Sequence, residues 1–342
     1  VEGFLKISRR QALFQVGELG EIAAARRAGV DIARQLGFDE TRTGKLALMI
    51  TEAATNVVKH AVRGEIILRA ISEKSGYGIE VIAVDSGPGI ENLSASMKDG
   101  VSTAGTYGVG LGAISRLADD FDLYSAPGQG TVLWMQLWAI ANTELRPEWD
   151  IGVVCLPMAS EEESGDDWAS VCMPDSLTVM VADGLGHGTE AARASRAAAN
   201  ILLQSTGAYP AAILNEAHHA LAGTRGAAVA VAQISHLDEQ LRYCGVGNIE
   251  ACVIDGDVSR HMVSHNGIVG SNIRKLQEFN FPWIPESILI MHSDGLGTRW
   301  DVAKYPGLYA CHPAVIAAVL YRDFVRRRDD VIVLAVRKAR RR

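Results

Sequence analysis

The chain is 342 residues long, more than one hydrophobic core usually needs and comfortable for two domains of about 100–200 residues each. Hydrophobic residues make up 48% and charged residues 21%, the balance of an ordinary globular protein and not of a disordered or fibrous one. The net charge of −7 gives no reason to expect nucleic acid as a partner. Acid and base are unevenly placed, however. Glu161, Glu162, Glu163, Asp166 and Asp167 crowd mid-chain, while residues 326–328 and 338–342 make the end basic, which reads as a solvated tail. Cys155, Cys172, Cys244, Cys252 and Cys311 form no CxxC pair and no metal-type spacing with histidine, so they read as reduced thiols. The opening VEGFLKISRR has no secretory apolar core, and no apolar run reaches membrane-spanning length. The cytoplasm is therefore the simplest compartment, with no membrane partner expected. A chain that opens on Val1 instead of Met reads as processed or truncated.

In chain order, the spacing of Leu19, Ile22, Ala23, Val30, Ala33 and Leu36 predicts an amphipathic helix over 18–36, closed by Gly37. Leu46, Met49, Ile50, Ala53, Val57 and Ala61 predict a second over 39–61. Strands are expected over 65–72 and 78–84 about a Ser75-Gly76 turn, then a Gly/Ser-rich loop over 85–107 and a helix over 109–117. A hairpin over 121–125 and 131–138 follows, turning at Pro127-Gly128-Gln129-Gly130. The polar stretch ANTELRPEWD breaks this pattern, and we place a short linker over 141–149 between domains at 1–140 and 150–342. Beyond it, strands are expected over 151–157, 168–173, 177–182, 227–234, 240–244, 250–254, 287–292 and 331–336. Helices are expected over 189–204, 211–222 and 313–324, the last opened by proline. No internal repeat or low-complexity tract is present.

Three features of the first half converge on a nucleotide. Glu52 and Asn56 stand four residues apart in a predicted helix and so share a face. An inward Asn can ligate Mg²⁺ through its carbonyl, and a neighbouring carboxylate can accept a proton from an attacking hydroxyl. Asp85-Ser-Gly87-Pro-Gly89 follows a predicted strand; its glycines let backbone approach a flat ligand, and the Asp can accept from an exocyclic amine. Gly105-Thr-Tyr-Gly108-Val-Gly110-Leu-Gly112 opens a helix, where free N–H groups and the helix dipole favour phosphate. Taken singly, each is commonplace: a solvated helix pair, a turn, a glycine run. Their order is what is hard to produce by chance. Together they resemble the N box and glycine boxes of the GHKL (Bergerat) ATPase fold, an α/β sandwich. Gly128-Gln-Gly130-Thr131 fits its last box, and the likeness over roughly residues 10–138 is to the RsbT and RsbW type of serine switch kinase. The resemblance implies ATP as ligand, Asn56 holding Mg²⁺, Glu52 as base and Asp85 reading adenine. Gly87 and Gly89 belong to the adenine loop, Gly108, Gly110 and Gly112 would form a lid over the phosphates, and Thr131 would lie near adenine. His60, next to the N box, reads as local structure; the short stretch before the first helix leaves no room for a phosphoacceptor-histidine helix pair.

The second half carries acidic positions at predicted strand ends: Asp166-Asp167, Asp183-Gly184, Asp294-Gly295 and Asp329-Asp330. Any one Asp-Gly is an ordinary turn. Several carboxylates converging at strand ends repel one another unless cations lie between them, and oxygen ligands favour Mg²⁺ or Mn²⁺. The series SGDDW, VMVADGLGHGTEAARAS, GVGNIEACVI, HNGIVG, MHSDGL and RRDDVIVLAVR resembles the SpoIIE, RsbU and RsbX branch of the PPM serine/threonine phosphatases, over roughly residues 150–338. That resemblance implies an α-β-β-α sandwich and two Mn²⁺ or Mg²⁺ ions. Asp183 would bridge the ions, the Gly184 carbonyl would serve the second, and Asp294 and Asp329 the first. Asp166 would complete the cluster. The sequence leaves Asp167 against Asp166 and Asp330 against Asp329 open, with Asp166 favoured by its GD context and Asp329 as first of its pair. His187 stands either near the phosphate or in a purely structural GHG turn.

The expectation is thus an α+β protein and a bifunctional switch, an ATP-dependent serine/threonine kinase joined to a metal-dependent phosphatase. The implied substrate is a STAS-domain phosphoprotein of the anti-anti-sigma or stressosome type, with homodimerisation left open. The alternative is a phosphatase whose first domain is a non-catalytic nucleotide sensor or a protein-interaction module.

Overall fold

The structure is a computed structural model; it describes residues 9–73, 76–97, 110–140, 148–205 and 207–340. It divides into two compact units, one of Val1–Pro147 with Ala310–Arg322, the other of Glu148–Tyr309 with Asp323–Arg342.

The first unit runs β1 (Ala12–Val16), α1 (Leu19–Gln35), α2 (Glu40–His60), β2 (Gly64–Glu73), β3 (Gly76–Asp85), α3 (Leu93–Ser96), α4 (Leu111–Leu117), β4 (Asp120–Ser125) and β5 (Thr131–Trp138). Both long helices begin where the sequence supplies a cap. The Glu21 carboxylate accepts from the N–H of Gly17 and of Glu18, and Asp39 accepts from Arg42 N at 2.7 Å. Lys59 and His60 occupy the last turn of α2, where the helix dipole favours positive charge. The apolar stripes of the two helices cover one face of a sheet ordered β1-β2-β3-β5-β4. Ile22, Ala25, Met49, Ile50 and Ala53 meet Ile66, Leu68, Ile79, Val81 and Leu133 there, and burial of such side chains is the main stabilising term. On β5, Trp134 donates to buried Glu80 (3.0 Å), which also accepts from Arg69 (2.9 Å). Trp134 stacks on His312 of the same unit, ring centroids 3.7 Å apart. This is the expected order of elements, with β1 added and the short α3 inside the stretch expected as a loop. That strand is half-exposed at the sheet edge and is fixed by pairing with β2 (Ala12 opposite Leu68), not by a periodic pattern of its own.

The second unit begins with β6 (Trp149–Leu156), whose first residue, Trp149, is buried although the expected linker includes it. It continues through β7 (Asp166–Met173), β8 (Ser176–Gly184), α5 (Thr189–Gln204), α6 (Pro210–Ala220), β9 (Ala227–Ser235), β10 (Gln240–Val246), β11 (Glu250–Asp255), β12 (Val258–His261), β13 (Gly267–Ile268), β14 (Asn272–Ile273), β15 (Phe279–Pro282) and β16 (Ile288–His292). In sequence α7 (Pro313–Phe324), mostly grouped with the first unit, comes next, then β17 (Val331–Lys338). Two five-stranded sheets, β15-β10-β9-β8-β7 and β12-β11-β16-β17-β6, face each other. Val179, Val181, Ala230 and Tyr243 of one interlock with Val153, Leu289, Met291 and Leu334 of the other. On its outer face the first sheet carries α5 and α6, packed through Ala194, Ala198, Leu202, Ile213 and Leu214 onto Met180, Ala182 and Val229. Strands alternate strictly between these two cores, which is why Val181 and Ala182 have opposite neighbours. All five cysteines are free thiols. No helix among the described residues is long and apolar enough to cross a membrane.

Candidate functional site

In the first unit, α2 presents Glu52 and Asn56, both half-buried, on one face. Among the described residues neither side chain has a hydrogen-bond partner. Burial lifts the Glu52 carboxyl above its ordinary value, against the pull of Lys59. Asp85 ends β3, directly opposite Thr131 at the start of β5. Its Oδ1 accepts from Gly87 N (2.8 Å) and Thr131 N (3.2 Å). Burial raises the Asp85 carboxyl, while those two amides and the charges of Arg322 and His60 lower it. The loop after Asp85 is pinned by glycines that admit no side chain. Gly89 has φ +73°, and a Cβ there would lie 2.0 Å from the Ala126 carbonyl; Gly130 has φ +68°, with the Asp85 carbonyl 2.1 Å from where its Cβ would be. A Cβ on Gly87 would meet Ala61 at 2.7 Å, so this loop lies against the C-terminal end of α2. The Thr131 hydroxyl bonds Ser125 Oγ (2.9 Å). Gly110 caps α4 and Gly112 lies buried within it. Gly108 is outside the described residues. Asp85, Gly87, Gly89 and Thr131 are thus brought together, and His60 joins them by its charge.

In the second unit, β7 and β8 pair so that Asp166 stands directly opposite Asp183. Like charges so placed destabilise a sheet unless something compensates them. Both lie on the inner face of the sheet, in register with Val181 and Ala228, where the sandwich opens at one end. From the facing sheet come Ser293, just past β16, whose hydroxyl donates to Asp166 Oδ2 (2.7 Å), and Asp294, which accepts from Asn248 Nδ2 (2.8 Å). Gly295 is held to glycine because a Cβ would lie 1.9 Å from the Asp330 carbonyl, and this packing draws the Asp294 and Asp329 loops together.

The two members of each acidic pair are not equivalent. Asp330 is 3% exposed, and its two oxygens accept from Met158 N and Gly165 N, both at 2.8 Å. Asp329 is exposed and, among the described residues, accepts only from the N–H of its neighbour Asp330. Asp166 is 4% exposed, whereas Asp167 is half-buried and accepts from Trp168 N. Gly184 lies beside Asp183 with a Cβ position 2.1 Å from the Ala191 carbonyl, so glycine lets α5 close onto β8. His187 is exposed and paired with Glu161 (2.6 Å), between two glycines at positive φ.

The electrostatics of this cluster are one-sided. Asp183 is pushed up to about 7, first by burial and then by Asp294, Asp329 and Asp330. Asp166 is driven well above the carboxylate range by burial, then by Asp183, with only the Ser293 hydroxyl among the foremost influences opposing. Among the described residues no three His, Cys, Asp or Glu side chains already converge on one point at ligand distance. The donor set nevertheless fits hard divalent cations: oxygen ligands that repel one another, with carboxylates the foremost charges acting on Asp183. Sequence reasoning missed Asn248 and Ser293, which hold Asp294 and Asp166. Both sit inside stretches already singled out, GVGNIEACVI and MHSDGL, but nothing in their type marks them as partners of a carboxylate.

A nucleotide-type loop on a helix-backed sheet, and a carboxylate cluster at the mouth of a two-sheet sandwich, define a chain that joins a GHKL-type ATPase domain to a PPM-type phosphatase domain. Comparison with known families agrees. Residues 17–137 match the histidine kinase-like ATPase domain family, and residues 173–339 match the stage II sporulation protein E (SpoIIE) family. The serine/threonine-protein kinase RsbT of Bacillus subtilis (strain 168) is 36% identical over 118 residues, 34% of this chain and 89% of RsbT. The chain therefore belongs, through its first part, to the RsbT family. The phosphoserine phosphatase RsbX of the same organism is 26% identical over 133 residues, 39% of this chain and 67% of RsbX. The crystal structure of RsbX in complex with magnesium shares the fold, with a TM-score of 0.50 at 21% identity, covering 58% of this chain and all of that one. The protein thus carries an RsbT-like kinase domain and a PPM serine/threonine phosphatase domain.

Proposed function

We propose that the chain sets the phosphorylation state of a STAS-domain regulator in both directions, phosphorylating a Ser or Thr with ATP and removing the phosphate by metal-dependent hydrolysis. The phosphatase half rests above all on one observation, the cross-strand pair of buried Asp166 and half-buried Asp183, with carboxylates the foremost charges acting on Asp183. Such an arrangement is costly unless cations compensate it. In this reading Asp183, Asp294, Asp329 and the Gly184 carbonyl would hold two Mg²⁺ or Mn²⁺ ions, Asp183 contributing to both, Asp294 and Asp329 to one and the Gly184 carbonyl to the other. Asp166 completes the cluster. Asp329 is preferred to Asp330 because both Asp330 oxygens are occupied by backbone amides. Bound there, the ions supply Lewis acidity to the phosphoryl group and to the water that attacks it. The protein's own part is to hold these carboxylates at fixed places through Ser293, Asn248 and the Gly295 contact. RsbX, whose structure contains magnesium, supports the choice of ion.

In the first domain Glu52 acts as base on the substrate hydroxyl, Asn56 holds Mg²⁺, and Asp85 accepts from the adenine amine beside Thr131. Gly87, Gly89 and Gly130 keep the loop open to a flat ring, and Gly108, Gly110 and Gly112 close over the phosphates. A carboxyl raised by burial, as Glu52 is, suits proton abstraction better than an exposed one. Joining both activities in one chain raises the effective concentration of each at a shared substrate. Likeness to RsbT and RsbX, a kinase and a phosphatase that the chain combines, supports this pairing.

The test is a time course of intact mass on a STAS protein incubated with the chain, ATP and Mn²⁺. The STAS protein is expected to gain one phosphate when incubated with the phosphatase-dead chain (Asp183→Asn) and to lose it when wild type is added. If Glu52→Ala alters nucleotide affinity but no partner is ever phosphorylated, the first domain is a sensor and not a kinase.

A further inference from the structure

The acidic site is built of negative charge, yet a phosphate monoester arrives as an anion. Ions can bring the two together, but one side chain of the opposite sign also rests on the turn that leaves the cluster after Asp183. The β8–β9 ladder ends with Asp183 opposite Ala228 and Gly184 opposite Ala227. One further hydrogen bond, Leu185 N to Gly226 O (3.0 Å), carries the register on. The next residues are Gly186 and Arg225. Gly186 turns at φ +86°, and a methyl on it would lie 3.0 Å from Arg225 Nη1, so the guanidinium rests on the turn that follows Asp183. The same turn touches the cluster from its other side. A Cβ on Gly165 would lie 3.4 Å from the Gly186 carbonyl and 2.7 Å from Asp330 Oδ2.

The loop that offers Arg225 is well anchored. Thr224 Oγ1 donates to Leu221 O (2.7 Å) and accepts from Gly226 N (3.0 Å), while Gly226 turns at φ +83°. Arg225 itself is exposed and makes no hydrogen bond or ion pair among the described residues. Its neighbours around the mouth are engaged differently: Arg193 pairs with Glu190 and Arg196 with Glu163. A rigidly based arginine with a free fork, held on the turn that follows Asp183, is suited to an oxyanion that arrives with the substrate.

We propose that Arg225 binds the non-bridging oxygens of the substrate phosphoryl group at the phosphatase site. The inference rests on the phosphatase reading given above. Gly186 is part of the device, since any side chain there would displace the guanidinium.

The experiment uses the full chain with Mn²⁺ and para-nitrophenyl phosphate, and inorganic phosphate as competitive inhibitor. Arg225→Ala should raise both KM and the phosphate inhibition constant roughly ten- to a hundredfold, the worth of a charge-assisted hydrogen bond. Melting temperature and the Mn²⁺ concentration for half-activation should stay put, and Arg225→Lys should recover part of the loss. Unchanged KM and phosphate inhibition in Arg225→Ala overturn the proposal. So does an equal loss in the Lys and Ala variants accompanied by a fall in melting temperature, which marks a structural role. Should Arg225→Ala fail to fold, Arg225→Gln against Arg225→Lys asks the same question at nearly constant size. A wild type without metal-dependent hydrolysis sinks the phosphatase reading itself, a result separate from any change among the variants.

Discussion

Asp85 and Asp183 occupy the same kind of position, the end of a largely buried strand, yet their surroundings differ in sign. Asp85 is met by two backbone N–H groups and by the charges of Arg322 and His60. Asp183 is met by three further carboxylates. Asp85→Asn should weaken ATP binding by about 1–3 kcal/mol: the Gly87 and Thr131 amides both occupy Oδ1, so in the variant the remaining oxygen becomes an N–H₂ that meets the adenine amine donor with another donor. Isothermal titration of nucleotide into the variant measures this. Glu52→Ala should leave that affinity nearly intact and lower phosphoryl transfer by roughly 10²–10⁴. Transfer at the wild-type rate would remove Glu52 from the chemistry.

For Asp183 the prediction is a pH dependence. Its carboxyl is raised from the ordinary value to about 7 in the folded chain, so the native state holds this proton more tightly than the unfolded one. Stability from this group is fully present below the unfolded carboxylate range near ~4. It is lost as pH climbs from there through about 7. In chelator, the wild-type melting temperature should therefore fall across that window more steeply than that of Asp183→Asn. Added Mn²⁺ should raise the wild-type value at pH 7 and raise the variant's much less. Parallel pH curves for the two proteins would show that Asp183 does not carry the repulsion.

At the scale of elements, the joint between β8 and α5 is the most exposed to a single change. Gly184→Ala would drive a methyl to within bonding distance of the Ala191 carbonyl (2.1 Å), so α5 must shift from β8. Overpacking of this kind costs roughly 1–3 kcal/mol. Since Asp183 and the Gly186 turn flank that glycine, phosphatase activity should fall further than the loss of stability alone explains. The check is activity measured well below the variant's melting temperature. Activity equal to wild type there would mean that the strand end tolerates the shift. The expected helices over 18–36, 39–61, 189–204 and 313–324 match α1, α2, α5 and α7 to within a residue or two. β1, β12 and β15 were not legible. Each is a short strand at a sheet edge; β1 and β15 have partners tens of residues away, such as Leu68 for Ala12 and Gln240 for Pro282, while β12 is a four-residue strand folded back on β11, Asp255 opposite Val258.

At the scale of the whole molecule, the two activities should respond to different reagents. Asp183→Asn and Asp294→Asn should abolish or strongly reduce hydrolysis while leaving ATP affinity within about twofold, since the proposed sites belong to separate units and share no residue. Asp183→Asn should be the more severe, because that carboxylate is assigned to both ions. Nucleotide titrations on the variants, beside phosphatase assays across a Mn²⁺ series, decide it. Equal losses from the two substitutions would count against a bridging role.

The sequence by itself determined the caps and stripes of the long helices, the class of each half and the acidic strand ends, because helical period, turn chemistry and motif order are local properties of the chain. Only the tertiary structure separated the surroundings of the paired acidic residues. Asp329 and Asp330 are identical in type and adjacent in sequence. They part only because the approach to β17 turns Asp330 toward the amides of Met158 and Gly165, more than 160 residues earlier, and leaves Asp329 at the surface. Asp166 meets Asp183 through a strand register that a slip of one residue would undo, moving one carboxylate to the opposite face. Ser293, Asn248 and Arg225 could not be found by any local signal. Their significance lies in what they stand beside, and long-range register and glycine-permitted close packing set that, not the residues next to them in the chain.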